Sequence, residues 1–174
     1  VIFLAVVGSA TLVPISCISK KQGCVSSSST ESEMVSLFTG LKDEGLPALD
    51  FWEAISGLSF FMTADKANSV RKHKQLVVFE DNQATLQIDV KGDSKRLRHL
   101  SRTHRASMTW IKEALDRPEV EIAYIKTEKQ ADDIFTKAFV NPLKFEIARG
   151  LIGVFPDSEV PWKPLIPKAL PSLP

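Results

Sequence analysis

The chain has 174 residues, 44% of them hydrophobic and 25% charged, with a formal net charge of +1. That balance suits one globular domain and excludes a chain drawn to polyanions by its overall charge; any affinity for nucleic acid must come from local clustering. Two cysteines, Cys17 and Cys24, are too few for a disulfide scaffold, and no histidine stands near enough to complete a zinc set, so reduced thiols are expected.

The opening "VIFLAVVGSATLVPISCISKK" lacks a basic leader, and Gly8 and Pro14 interrupt it before the roughly 18 apolar residues that a membrane span needs. Two strands, Val1–Val7 and Leu12–Ile18, joined by a turn at "GSA", account for it, and no membrane contact is expected. A serine run then leads into "STESEM". Thr30 followed by Glu33 reads as a capping box, and Met34, Leu37, Phe38 and Leu41 form one apolar helical stripe behind it. "EGLPALDFWEAISGL" breaks at Gly45 and restarts at Pro47, as a second helix or a sharp kink.

Positions 62–74 read as a solvated loop ending in the basic run "RKHK", and "QLVVFEDN" as a short strand stopping on Asp81. A helix over 83–90 ends at Gly92. "RTHRASMTWIKEALDRP" reads as another helix, with Trp110 in the core, and "VEIAYI" as a strand. "KQADDIFTKAF" and "PLKFEIARGLIGVF" are two short helical stretches parted by Asn141-Pro142. Six of the ten prolines lie beyond Phe155, so 156–174 is expected to be an extended tail on a domain of 1–155. The order is that of a mixed α/β layer in which a hairpin precedes helix-linked strands.

Three acids stand out by position. Glu31 opens the first long helix, Asp81 ends a strand, and Asp133 lies in the first turn of a late helix. Each alone has a plain explanation, since acids favour a helix start and Asp81-Asn82 can cap the helix that follows. Together they suggest more. Carboxylates gathered from separate elements repel one another unless cations neutralise them, and hard divalent ions such as Mg²⁺ are the usual partners. Two such ions about 3.5–4 Å apart suit phosphodiester cleavage. There is no nucleophile-elbow motif and no glycine-rich phosphate loop, which sets acyl transfer and ATP hydrolysis aside.

"ISCISKKQGCVSSSSTESE", "DNQAT", "SRTHRASMTWIKEAL" and "QADDIFTKAF", in that order across Ile15 to Phe155, resemble the ribonuclease H domain of copia-type retrotransposon polyproteins. The resemblance implies a ribonuclease H-like mixed sheet with flanking helices, cutting the RNA strand of RNA–DNA hybrids with two Mg²⁺ or Mn²⁺ ions. It carries the catalytic, metal-holding carboxylates onto Glu31, Asp81 and Asp133, and leaves Glu33 the capping role. The family's first catalytic aspartate lies on a strand before the hairpin, central in the sheet between the hairpin and the strand ending at Asp81. Val1 is not a methionine, so that strand is expected upstream, beside an upstream reverse transcriptase domain.

Lys91, Lys95, Arg96, Arg98, Arg102 and Arg105, with His99 and His104, face a single acid, Asp93. Such a run is either a solvated loop or a phosphate grip; on the nuclease reading Lys95, Arg96, Arg98, Arg102, His104 and Arg105 hold the hybrid through its backbone. Where the family has Lys-His after "SRT", this chain has His104-Arg105. Two rivals remain: a catalytically dead remnant keeping the fold and weak nucleic-acid binding, and a secreted protein with residues 1–17 as leader. The retroelement reading implies cytoplasm or nucleus, not secretion.

Overall fold

The computed structural model describes residues 1–8, 11–23, 25–57, 76–92, 94 and 97–155. The loop expected at 62–74 with its "RKHK" run, Cys24, Lys95, Arg96 and the proline-rich tail lie outside the described residues. The protein is mixed α/β and divides into two compact units, 21–125 and 1–20 with 126–174.

In the smaller sheet-bearing unit, β1 (Ile2–Val7) and β2 (Leu12–Ile18) form an antiparallel hairpin, pairing Ile2 with Ile18 and Val7 with Leu12. The expected strands are thus present, with a register irregularity between Leu4 and Ala5 that sets Ala5 opposite Pro14. Proline has no N–H for the ladder, and an irregular position accommodates it. The stretch expected to be one short helix over "KQADDIFTKAF" is instead two 3₁₀ turns, Thr127–Lys129 and Ala131–Phe135. Helix α6 (Pro142–Leu151) packs on both turns. Its start follows the rules for a helix N-terminus: Asn141 accepts from Leu143 N–H, and Pro142 fills the first position, where an N–H has no partner. Phe3 stacks on Phe135 within this unit.

The larger unit begins with α1 (Ser29–Thr39), which continues through a π-helical turn (Gly40–Gly45) into α2 (Leu46–Gly57). The second helix expected from Pro47 is present, but the chain stays helical through Gly45 instead of breaking there. Pro47 cannot donate to a residue four back, and the wider turn just before it lets the chain stay helical. Strand β3 (Leu76–Glu80) pairs in parallel with β4 (Val120–Tyr124), Leu76 opposite Val120 and Glu80 opposite Tyr124. Parallel neighbours need a long crossover, and α3 (Gln83–Lys91), α4 (Leu100–Thr103) and α5 (Met108–Leu115) provide it.

The core of this unit gathers Met34, Leu37 and Leu41 from the first stripe with Leu76, Leu100, Ile111 and Val120. Trp110 packs against it, edge-on to Phe38 at 5.1 Å, as expected of a core residue. Helix α3 touches α1, α5 and both strands. It ends at Gly92, whose φ of +69° is left-handed and where an added Cβ would meet Lys112 at 2.6 Å, so both backbone and space call for glycine.

The expected single mixed sheet is therefore two two-stranded sheets among the described residues, one antiparallel and one parallel. No described helix is long and apolar enough to cross a membrane.

Candidate functional site

Glu31 sits in the first turn of α1. The capping box expected at Thr30 and Glu33 is displaced upstream: Ser28 is the N-cap, and its hydroxyl accepts from Glu31 N–H at 3.1 Å. Glu31 is therefore the third helical residue, the place from which a capping-box glutamate reaches back. It does so. Ser27 donates its backbone N–H (2.8 Å) and its hydroxyl (2.5 Å) to Oε2 of Glu31. The division of labour expected between Glu31 and Glu33 is thereby corrected, because Glu31 itself helps to close the helix start.

The other carboxylate oxygen is taken up from far along the chain. Nε2 of His99 lies 2.9 Å and Nε2 of His104 3.0 Å from Oε1, each ring donating when its proton is on Nε2. Glu31 is only 2% exposed, and the His104 side chain 3%, whereas His99 is 43% exposed. Four donors on two oxygens use all the lone pairs that a carboxylate offers. They hold the Glu31 carboxyl down at about 2, the Ser27 hydroxyl contributing most, then the Ser27 N–H and His99; burial opposes the shift, and His104 adds to it. His104, expected among the phosphate-gripping residues, is corrected to a buried partner of Glu31.

These histidines come from a segment expected to be one helix with α5, and it is not. Helix α4 is a single turn, and Arg105 then adopts a left-handed backbone with φ of +56°. For a side chain other than glycine this conformation costs about 1 kcal/mol, so the surroundings must hold it. His104 is fastened to Glu31 on one side, and Ala106 is 1% exposed on the other. Ser107 then caps α5 by accepting from Trp110 N–H.

Asp81 lies at the C-terminal end of β3, half-buried. Capping falls to its neighbour Asn82, which accepts from the N–H groups of Ala84 and Thr85. Among the described residues no hydrogen bond or ion pair reaches the Asp81 carboxylate, so the capping explanation of Asp81 no longer applies. Just before it, Glu80 is 7% exposed and accepts from Asn82 N–H. Glu80 is not among the residues expected at the site, although its place two and four residues from Val78 and Leu76 sets it on the same strand face, inward.

Asp133 belongs to the other unit, on the 3₁₀ turn Ala131–Phe135, where Lys137 Nζ approaches its Oδ2 at 2.6 Å. Of the expected carboxylates, Glu31 and Asp81 thus share a unit, and Asp133 stands in the second. Among the described residues no cluster of three or more His, Cys, Asp or Glu is arranged to hold a metal ion. Of the expected phosphate-gripping residues, Arg98, Arg102 and Arg105 are exposed.

No protein-family model matches the chain, and no solved structure matches it.

Proposed function

We propose that the chain is a ribonuclease H-type nuclease domain of a copia-type retrotransposon polyprotein, cutting the RNA strand of RNA–DNA hybrids. The observation that carries this is Asp81. In the ordered series of motifs it is the strand-end aspartate, and among the described residues its carboxylate has no donor at the C-terminal end of a parallel strand, where open α/β sheets collect ligand-binding groups. A hydrogen-bond-free carboxylate suits a hard divalent cation.

On this reading Asp81 and Glu31, which share a unit, hold divalent ions. Such ions, when bound, activate water and steady the leaving oxygen. Asp81 is ready for that duty as it stands. Glu31 takes it up by giving away one donor, and His99, the water-accessible one, is the donor to exchange. The arginines hold the hybrid by its phosphates, which confers affinity without sequence preference.

The test is cleavage of a labelled hybrid with Mg²⁺ by a chain extended upstream through the expected strand. Asp81→Asn is expected to lose cutting by at least about a hundredfold while hybrid binding persists. Undiminished cutting would remove Asp81 from the site. The full occupancy of Glu31 also favours a second reading, a binding domain that no longer cuts; on that reading the wild-type extended chain binds hybrid and leaves it intact.

A further inference from the structure

We infer that the two histidines on Glu31 have opposite duties at the proposed site: His104 positions the carboxylate, and His99 guards it against the divalent ion. The inference rests on the nuclease reading above and names how its Glu31 is held and regulated. Both imidazoles reach the same oxygen at nearly the same distance, Nε2 of His99 at 2.9 Å and Nε2 of His104 at 3.0 Å from Oε1. Bond length therefore does not separate them. Burial does, since the side chain of His99 is 43% exposed and that of His104 3%.

A donor leaves a carboxylate cheaply only if its N–H finds another acceptor. The ring of His99 can turn to water, whereas that of His104 would stay enclosed with an unmet donor. The backbone holds His104 in its place as well. Its N–H donates to the Leu100 carbonyl, as does that of Ala106, and both Leu100 and Ala106 are at most 1% exposed. His104 is thus fixed between buried residues.

Three donors remain on Glu31 once His99 has turned away. Ser27 keeps Oε2 with its N–H and its hydroxyl, and His104 keeps one side of Oε1. Held at both oxygens, the carboxylate stays in place, and Oε1 has a lone pair to offer a cation. With His104 removed instead, Ser27 holds Oε2 alone, and Oε1 is left to the histidine that competes with the cation. A metal-binding carboxylate depends in this way on the hydrogen bonds behind it. The departure of His99, for its part, subtracts one hydrogen bond from the gain on metal binding.

The experiment is Mn²⁺ binding to the full chain, followed by water-proton relaxation, which registers weak as well as tight sites. The melting temperature of each variant is taken without metal, so that binding is compared only among folded chains. Asp81→Asn is expected to weaken binding at least about tenfold, as the nuclease reading requires. His104→Leu is expected to weaken it about tenfold, and His104→Gln, which keeps a donor, by less than about threefold. His99→Ala is expected to do the reverse and tighten binding about fivefold, the worth of one hydrogen bond. Should the leucine variant fail to fold, His104→Asn, too short to reach Glu31, replaces it with the same expectations. If Asp81→Asn weakens binding but the His99 and His104 variants shift it in the same direction, or either leaves it unchanged, the division of duties is overturned and the nuclease reading stands. If Asp81→Asn has no effect, or the wild type takes up no Mn²⁺, both fall.

Discussion

At the start of α1 the carboxylate of Glu31 accepts four hydrogen bonds and is shut away from water; at the end of β3 the carboxylate of Asp81 accepts none among the described residues. Both were expected to act together on shared metal ions. Their surroundings instead give them different first duties. Glu31 ties the serine approach of α1 to a segment about 70 residues later, and such a carboxylate contributes to the fold whether or not chemistry occurs. Asp81 has no such employment, because Asn82 caps α3 in its place. A protein that kept Asp81 for stability alone would be keeping a half-buried charge with no hydrogen-bond or ion-pair partner among the described residues, which folding does not reward.

The largest expected effect follows from this contrast. Glu31→Ala strips the acceptor from Ser27, His99 and the buried His104, and it should cost about 3 kcal/mol, read as a fall in melting temperature of about 10 °C. Asp81→Ala should stay within about 0.5 kcal/mol of wild type or stabilise slightly, as expected for a residue without partners. Thermal or urea unfolding of the two variants side by side measures the difference. Equal losses would erase the contrast between the two sites.

Acid should sharpen it. The Glu31 carboxyl is held at about 2 in the folded chain against an ordinary 4.5. A depressed folded value means that the folded state favours the ionised form. Its stabilising contribution is therefore complete above about pH 4.5 and is lost as pH falls from there towards 2. Urea unfolding between pH 5 and 2.5 should show stability falling in wild type. The fall should be shallower in Glu31→Gln, which has no proton to take up. An acid limb that is identical in wild type and Glu31→Gln would show that the four donors do not hold the charge.

The sequence made the strands and their limits legible because each is written in its own few residues: apolar runs over 2–7 and 12–18, a period-two pattern over 120–124, and a helix over 83–91 stopped by a left-handed glycine. It did not make the start of α1 legible. Ser26 to Thr30 offers several equivalent caps, and the choice of Ser28 goes with a glutamate held by histidines far away in the chain. His99 and His104 stand five apart, which matches neither a helical face nor a metal-ligand spacing, so no local pattern announced them. The turn at Arg105 is similarly hidden. Nothing in "THRAS" forbids a helix, and it is the inward pull on His104 and Ala106 that breaks it. Asp81 could be found because a strand end is a local feature. Its lack of partners among the described residues, the property that carries the proposed function, could only be seen once Asn82 was observed to do the capping.

Asp133 falls between these two extremes and gives the smallest expected effect. Its carboxylate is paired with Lys137 at 2.6 Å, four residues on, but the lysine side chain is 49% exposed and Asp133 itself 18%. An ion pair with one partner so open gains little over hydration and is weakened by salt, so Lys137→Ala should cost no more than about 0.5 kcal/mol. Asp133 thus resembles Asp81 more than Glu31, since removing its protein partner is cheap and leaves a carboxylate ready for another cation. The measurement is unfolding of Lys137→Ala at low and high salt, where wild type should converge on the variant as salt rises. A loss above about 1 kcal/mol that persists at high salt would make Asp133 a committed structural carboxylate like Glu31, and would leave Asp81 alone as a carboxylate free for chemistry.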